Sequence, residues 1–165
     1  MLDSQKAFRL FSMMIILTIT TIAAIACFGN ITDSTSNMKF VYHIFEMDTT
    51  YHSPGVMYRA IDSNFMHWLG FWAIVFFEAL VAITGYWGLY RLLKNINKSS
   101  EDFEKQKTLC FLAMFFAVVI WGFIFQAGGG EWFVSWQSAS WNGLRDATRI
   151  VLLAVGGGIT LRLAK

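Results

Sequence analysis

Charge is scarce in this chain. Asp, Glu, Lys and Arg make up 15% of it, where soluble domains carry about 25%, and that shortage excludes an ordinary solvated surface. Proline occurs once in 165 residues, so almost nothing in the sequence forces a long helix to break. There are only two cysteines and three histidines. No Ser–His pair, H-E-x-x-H motif or phosphate-binding loop is present, which leaves hydrolytic and nucleotide chemistry without a signature. A net charge of +2 gives no electrostatic footprint of a nucleic-acid partner.

Apolar residues fill the space that charge leaves. They make up 56% of the chain, aromatic residues alone 17%, with 16 Phe and 7 Trp, and mean hydropathy is +0.49. This is the composition of a membrane protein, of a length that suits one domain over residues 1–165. Four segments approach the roughly 20 residues that span hydrocarbon: about 10–28, 68–90, 109–127 and 144–163. The last carries Arg145, Asp146 and Arg149 in its first two turns. Backbone groups in lipid must be bonded within their own segment, so these are helices, and the short alternating segments of a membrane β-barrel are missing. The expected fold is an all-α membrane protein, a four-transmembrane-helix bundle.

The N-terminus imitates a signal peptide, with Lys6 and Arg9 in front and Ala24-Ile25-Ala26 in the cleavage position; ending at Cys27, the same place reads as a weak lipobox. The apolar run is longer than the usual ~7–15 residues of a signal core, and the segment reads as a retained helix. Nine of the 13 Lys and Arg residues fall on the side of the termini and the connector 91–108. The positive-inside rule then puts both termini in the cytoplasm and segments 29–67 and 128–143 outside. On this topology Cys27 and Cys110 lie near opposite faces of the membrane, too far apart for a disulfide.

Segment 29–67 is too long for a bare connection. Its Phe40, Tyr42, Phe45 and Tyr51 need apolar cover that Trp132, Phe133 and Trp136 can provide, so the first and third loops are expected to form one external cap. Within 29–67, His43, Glu46, Asp48 and His52 are ligand types suited to zinc, although their spacing matches no established motif, and no metal or other cofactor is expected. Asp48-Thr49-Thr50 reads as a helix stop. The stretch after Pro54 reads as a short amphipathic helix, with Met57 and Ile61 inward and Arg59 and Asp62 outward. Gly128–Gly130 is expected to end the third helix. Beyond it, Trp132, Trp136 and Trp141 suit an interfacial aromatic belt, while Glu131, Gln137 and Asn142 between them, with His43 and Asp48, are candidates for an external polar and aromatic site.

The blocks HIFEMDTT, the EAL around Glu78, and GGGEWFVSWQSASWNG followed by Arg149 resemble the DUF2165 family of predicted small integral membrane proteins. The resemblance covers nearly the whole chain. It implies a four-helix protein of a bacterial inner membrane, and brings no substrate or catalytic residue with it.

Glu78 is the feature most suggestive of function. It stands near the middle of WLGFWAIVFFEALVAITGYWGLY, where an acid costs about 2.5–3.5 kcal/mol on insertion scales. Glu78, Ala82 and Gly85 share a helix face; so do Arg145, Arg149, Leu152 and Gly156 in the fourth segment. Counted from the outer boundary, Glu78 and Arg149 differ in depth by about 6 Å, so Arg149 is the expected counter-charge and Arg145 the second choice. Three functions suit these features. The first is a non-catalytic accessory or scaffold subunit of a membrane complex, or a lipid-binding protein, with membrane lipid and another integral membrane protein or a second copy as partners. The second is a small transporter or proton-coupled device using Glu78, and the third an enzyme acting at the outer face. The topology is open to direct test: with Cys27 and Cys110 replaced, a probe cysteine at Ser36 should label from outside intact cells, and one at Ser99 only after permeabilisation.

Overall fold

Capped apolar runs set the elements of the structure, a computed structural model that describes residues 3–165. Helix α1 runs Ser4–Thr32, and the Asp3 side chain accepts from the Lys6 amide to close its first turn. At Asp33 the chain leaves helical geometry, and its carboxylate accepts from the Ser36 amide at the start of α2, Ser34–Glu46. Met47 then turns into the left-handed region, with φ 54°, and stops α2 just before the Asp48-Thr49-Thr50 turn. Helix α3 spans Asn64–Lys94, α4 is the short Ser100–Glu104 of the connector, and α5 is Thr108–Ala117. From α5 the chain continues as a π-helical segment, Val118–Trp132, of 15 residues. Helix α6 is Leu144–Leu163.

Three stretches, Ser4–Thr32, Asn64–Lys94 and Ser100–Trp132, are long and apolar enough to cross a membrane. Their outward faces carry Phe11, Ile83, Phe115 and Phe123, all more than half exposed, the inverse of a soluble surface.

Helices α1 and α3 run antiparallel: Arg9 reaches the Ile96 carbonyl beyond the end of α3, and Asn30 meets Glu78 further along. At their crossing, a Cβ on Gly85 would collide with the Thr20 hydroxyl, and one on Gly88 would sit 2.6 Å from Cys110 Sγ where α3 meets α5. Both glycines allow a backbone approach that no side chain permits. Around them Ile16, Ile19, Val81, Ala113, Ala117, Ile120, Ala154 and Leu161 form one buried cluster that takes in all four long helices.

The connector end is closed by two buried cations. The Arg9 guanidinium donates to the carbonyls of Lys165, Ile96 and Lys98 at 2.7–3.0 Å and lies 4.3 Å from the centre of the Phe103 ring. Lys107, 1% exposed, donates to the Ala164 carbonyl and to Glu104, and Arg162 donates to the other oxygen of the same carboxylate. Neither Arg9 nor Lys107 is left unpaired, as burial of a charge demands.

At the opposite, loop end, segments 29–67 and 128–143 pack on one another. Ile44, Met47, Phe133 and Val134 form a buried cluster, the Phe45 and Phe133 rings stack at 4.8 Å, and the Thr49 and Ser138 hydroxyls are hydrogen-bonded at 2.8 Å. Val134, β-branched, is held at φ 47°, a conformation that persists because its surroundings fix it. Two sequence expectations fail in this region. The stretch after Pro54 forms only the 3-10 turn Met57–Arg59, because the Ile61 amide is taken by the Phe45 carbonyl at 2.8 Å and the chain is pulled back onto α2. Met57 and Ile61 still pack inward. Nor does the glycine triplet end the third helix. The wider turns of the π segment pass through it to Trp132, and the Phe133 amide still finds the Gly128 carbonyl at 3.0 Å.

The α1–α3 crossing yields a test. Gly85→Ala should cost about 1–3 kcal/mol by overpacking, whereas Gly158→Ala, which meets open space, should be neutral or gain up to about 1 kcal/mol from helix propensity. Thermal melts of the two variants in detergent would separate them, and equal effects would contradict the crossing.

Candidate functional site

Glu78 is 4% exposed, and its side chain points back toward the loop end, as a helical Cα–Cβ bond does toward the helix N-terminus. There its Oε2 accepts from Asn30 Nδ2 at 2.8 Å. Oε1 has no hydrogen-bond partner among the described residues. Glu78 lines a cavity of about 380 Å³ enclosed by the α1–α2 junction, α3, the π segment and the start of α6. Its polar wall comprises Asn30, Ser36, Asn37, Glu78 and Asp146; the rest is mostly aromatic, with Phe71, Trp121 and Trp141 among the rings. No lysine, arginine or histidine contributes to the wall.

A second cavity, of about 460 Å³, lies beside the first and is almost wholly apolar. It runs between α2, the start of α3 and the π segment, with Ile44, Gly70, Phe123, Gly129, Trp132 and Leu144 in its lining. The two share Phe40, Val41, Ile74, Phe125 and Gly143, and the rings of Phe40 and Phe125 stack at 5.8 Å. The pair forms an amphipathic site, one compartment a polar aromatic box and the other an apolar slot.

The expected bridge from Glu78 to Arg149 does not form. The buried positions of α6 are Ala147, Ile150, Ala154, Gly157 and Leu161, and neither Arg149 nor Arg145 falls on that stripe. Both are exposed, and Arg149 lies 3.6 Å from Asp146 one turn earlier. The expectation rested on depths within side-chain reach, and depth does not fix which way a helix faces. An amide, not a cation, meets the buried carboxylate.

The other candidates build the loop-end lobe more than they line a cavity. His43 Nδ1 donates to Asp48 Oδ2 at 2.7 Å, and its ring stacks on Trp141 at 4.3 Å. The Glu46 carboxylate beside Tyr42 holds the phenol above its ordinary pKa. His52 stands apart in the left-handed region, at φ 51°. Among the described residues no group of three or more His, Cys, Asp or Glu side chains converges as a metal site would require. Arg59 donates to the carbonyls of Glu131 and Trp132 and lies 4.9 Å from the Trp132 ring centre. Gln137 Oε1 accepts from the Tyr51 amide at 2.9 Å, Trp136 meets Tyr51 edge-on, and Asn142 Oδ1 accepts from the Leu144 amide where α6 begins. Only Trp132 of this group lines a compartment.

Sequence reasoning missed Asn30, Asp146, Trp121 and Phe40 as site residues. Asn30 had a signal: an amide just past an apolar span, on the long helix that precedes the one carrying the acid. Trp121 and Phe40 look like any lipid-facing or belt aromatic. The thiols stay out of the site: Cys27 Sγ is directed at the Val75 carbonyl and Cys110 is fully buried against Gly88. The arrangement can hold and orient a molecule; no base stands beside a nucleophile in it.

Stability measurements test the pairing. Asn30→Leu should destabilise the protein by about 1–3 kcal/mol, the cost of leaving a buried polar group unsatisfied, and should couple to Glu78→Gln in a double-mutant cycle. A cycle between Glu78→Gln and Arg149→Gln should be additive to within about 0.5 kcal/mol; a larger coupling would restore the arginine as partner.

Neither the curated proteins nor the solved structures contain a match to the chain. A family model described as predicted small integral membrane protein (DUF2165) matches residues 8–164, nearly the whole length, and the protein belongs to that family.

Proposed function

We propose that the protein is a non-catalytic membrane component that holds a lipid or lipid-like amphiphile in its loop-end half, as an accessory subunit of a bacterial inner-membrane assembly or of a self-associated form. The observation that carries this reading is the 460 Å³ apolar slot. Its volume is within the range of about 300–1,000 Å³ usual for small-molecule sites, and its polar neighbour offers a place for a head group. The absence of a nucleophile–base pair at the site supports binding over catalysis.

In this proposal four helices cross the membrane. Helix α6 has 20 residues, about 30 Å of rise, and follows the same course as its neighbours: Leu144 packs near Gly130 at the loop end, and the chain just after α6 meets Arg9 and Lys107 at the connector end. Arg145, Asp146 and Arg149 would lie at the interface, where charge is tolerated. The excess of basic residues at the connector end supports cytoplasmic termini, with the loop-end lobe as an external cap. A second reading, a small proton-coupled transporter, is favoured by one observation, the cavity that reaches Glu78 from the loop end. Solute-driven proton flux in liposomes, lost in Glu78→Gln, would support it over simple binding.

Gly129 offers the test of the slot. A Cβ there meets only Ile124 and Ile44 atoms at 3.8–3.9 Å, so Gly129→Leu should fold and fill the slot. Native mass spectrometry after mild-detergent purification should find a lipid-sized adduct on the wild type and about tenfold less on the variant, equivalent to roughly 1.4 kcal/mol. A wild type free of adduct, or a variant equally loaded, would count against the proposal. A stoichiometric protein partner in the same preparation would support the accessory role.

A further inference from the structure

The polar compartment has a chemistry of its own, and its charge is of one sign. Glu78 supplies a buried carboxylate with one oxygen tied to Asn30, and Asp146 supplies a second at the mouth, with Arg149 on its solvent side at 3.6 Å. No cation contributes to the wall, and the rings of Phe71, Trp121 and Trp141 supply much of the rest. A phosphate or carboxylate head would meet two acidic side chains here, with no cation in the wall to offset them. A neutral sugar could donate a hydroxyl to Glu78 Oε1 but brings no positive charge to match the acids. An ammonium is matched on both counts, since carboxylates attract it and aromatic faces receive it through their negative quadrupole.

We infer that the Glu78 cavity is an ammonium site, and that its occupant is an amphiphile with an amine head seated between Glu78 and Trp121 and its chain in the neighbouring apolar slot. The inference rests on the amphiphile-binding reading and narrows it to one head-group class. Asn30 acts as a positioning residue, fixing Oε2 so that Oε1 stays turned to the cavity. Phe40, Val41, Ile74, Phe125 and Gly143 line both cavities, so the head compartment adjoins the chain compartment.

The test uses the full chain in a neutral maltoside detergent and follows thermal stabilisation, which reports binding to the folded state. The probes are decyltrimethylammonium and decyl sulfate below their micellar concentrations, and tetramethylammonium as a head without a chain. The decyl cation should stabilise the wild type and the decyl sulfate should not. Glu78→Gln should weaken binding of the cation about tenfold or more. Asp146→Asn, at an exposed mouth position that leaves folding intact, should weaken it less. Tetramethylammonium should bind more weakly than the decyl cation and with the same dependence on Glu78. If both decyl probes stabilise equally and Gly129→Leu abolishes both, the slot binds chains and the ammonium site is overturned. If tetramethylammonium matches the decyl cation and both depend on Glu78, the head site stands and it is the chain-binding reading that fails. Indifference of the decyl cation to both Glu78→Gln and Asp146→Asn overturns the inference directly.

Discussion

The contact between α1 and α3 is the one on which the remaining architecture hangs. Lipid provides no hydrophobic force between helices, so close packing must supply the attraction, and here it depends on the missing side chain of Gly85 against Thr20. That approach brings Asn30 within reach of Glu78 at one end and lays Arg9 under the connector at the other. Move the two helices apart by the width of a methyl group and the carboxylate loses its amide. A buried acid in hydrocarbon is tolerable only because this crossing provides its partner.

Polar satisfaction is handled differently at the two ends of the bundle. At the connector end the buried charges are cations, and they are met largely by backbone carbonyls and the face of Phe103. Such contacts close the end tightly and leave nothing for a ligand. At the loop end the buried ionisable group is an acid, held on one oxygen only, beside unfilled volume. The asymmetry locates the part of the molecule that has spare bonding capacity. It lies opposite the end with the greater density of positive charge.

Much of this fold was legible in the sequence, because apolar run length is a coarse signal that survives without tertiary detail. The three most apolar helices and the helical identity of residues 144–163 came from length and composition alone. The meeting of segments 29–67 and 128–143 followed from aromatic residues such as Phe45 and Phe133 needing cover. What could not be read was direction around a helix axis. Arg149 was expected within reach of Glu78, yet the buried stripe of α6 runs through Ile150 and Ala154, and only packing decides that. The π segment was equally hidden, since its pattern of apolar residues is dense enough to suit several helical periods, and Gly128–Gly130 looked like a terminus. Asn30 was overlooked for a simpler reason: a lone amide near a helix end usually serves the backbone.

The boundary between the polar box and the apolar slot includes the stacked rings of Phe40 and Phe125, beside Val41, Ile74 and Gly143. A partition of this kind has its own mobility. Side chains exchange rotamers far faster than helices shift, so the two volumes can merge or separate while every backbone hydrogen bond stays in place. One ring comes from α2 and the other from the π segment, so the partition is jointly owned by the two parts of the chain that meet at the loop end. The size of molecule admitted therefore depends in part on torsions about two Cα–Cβ bonds.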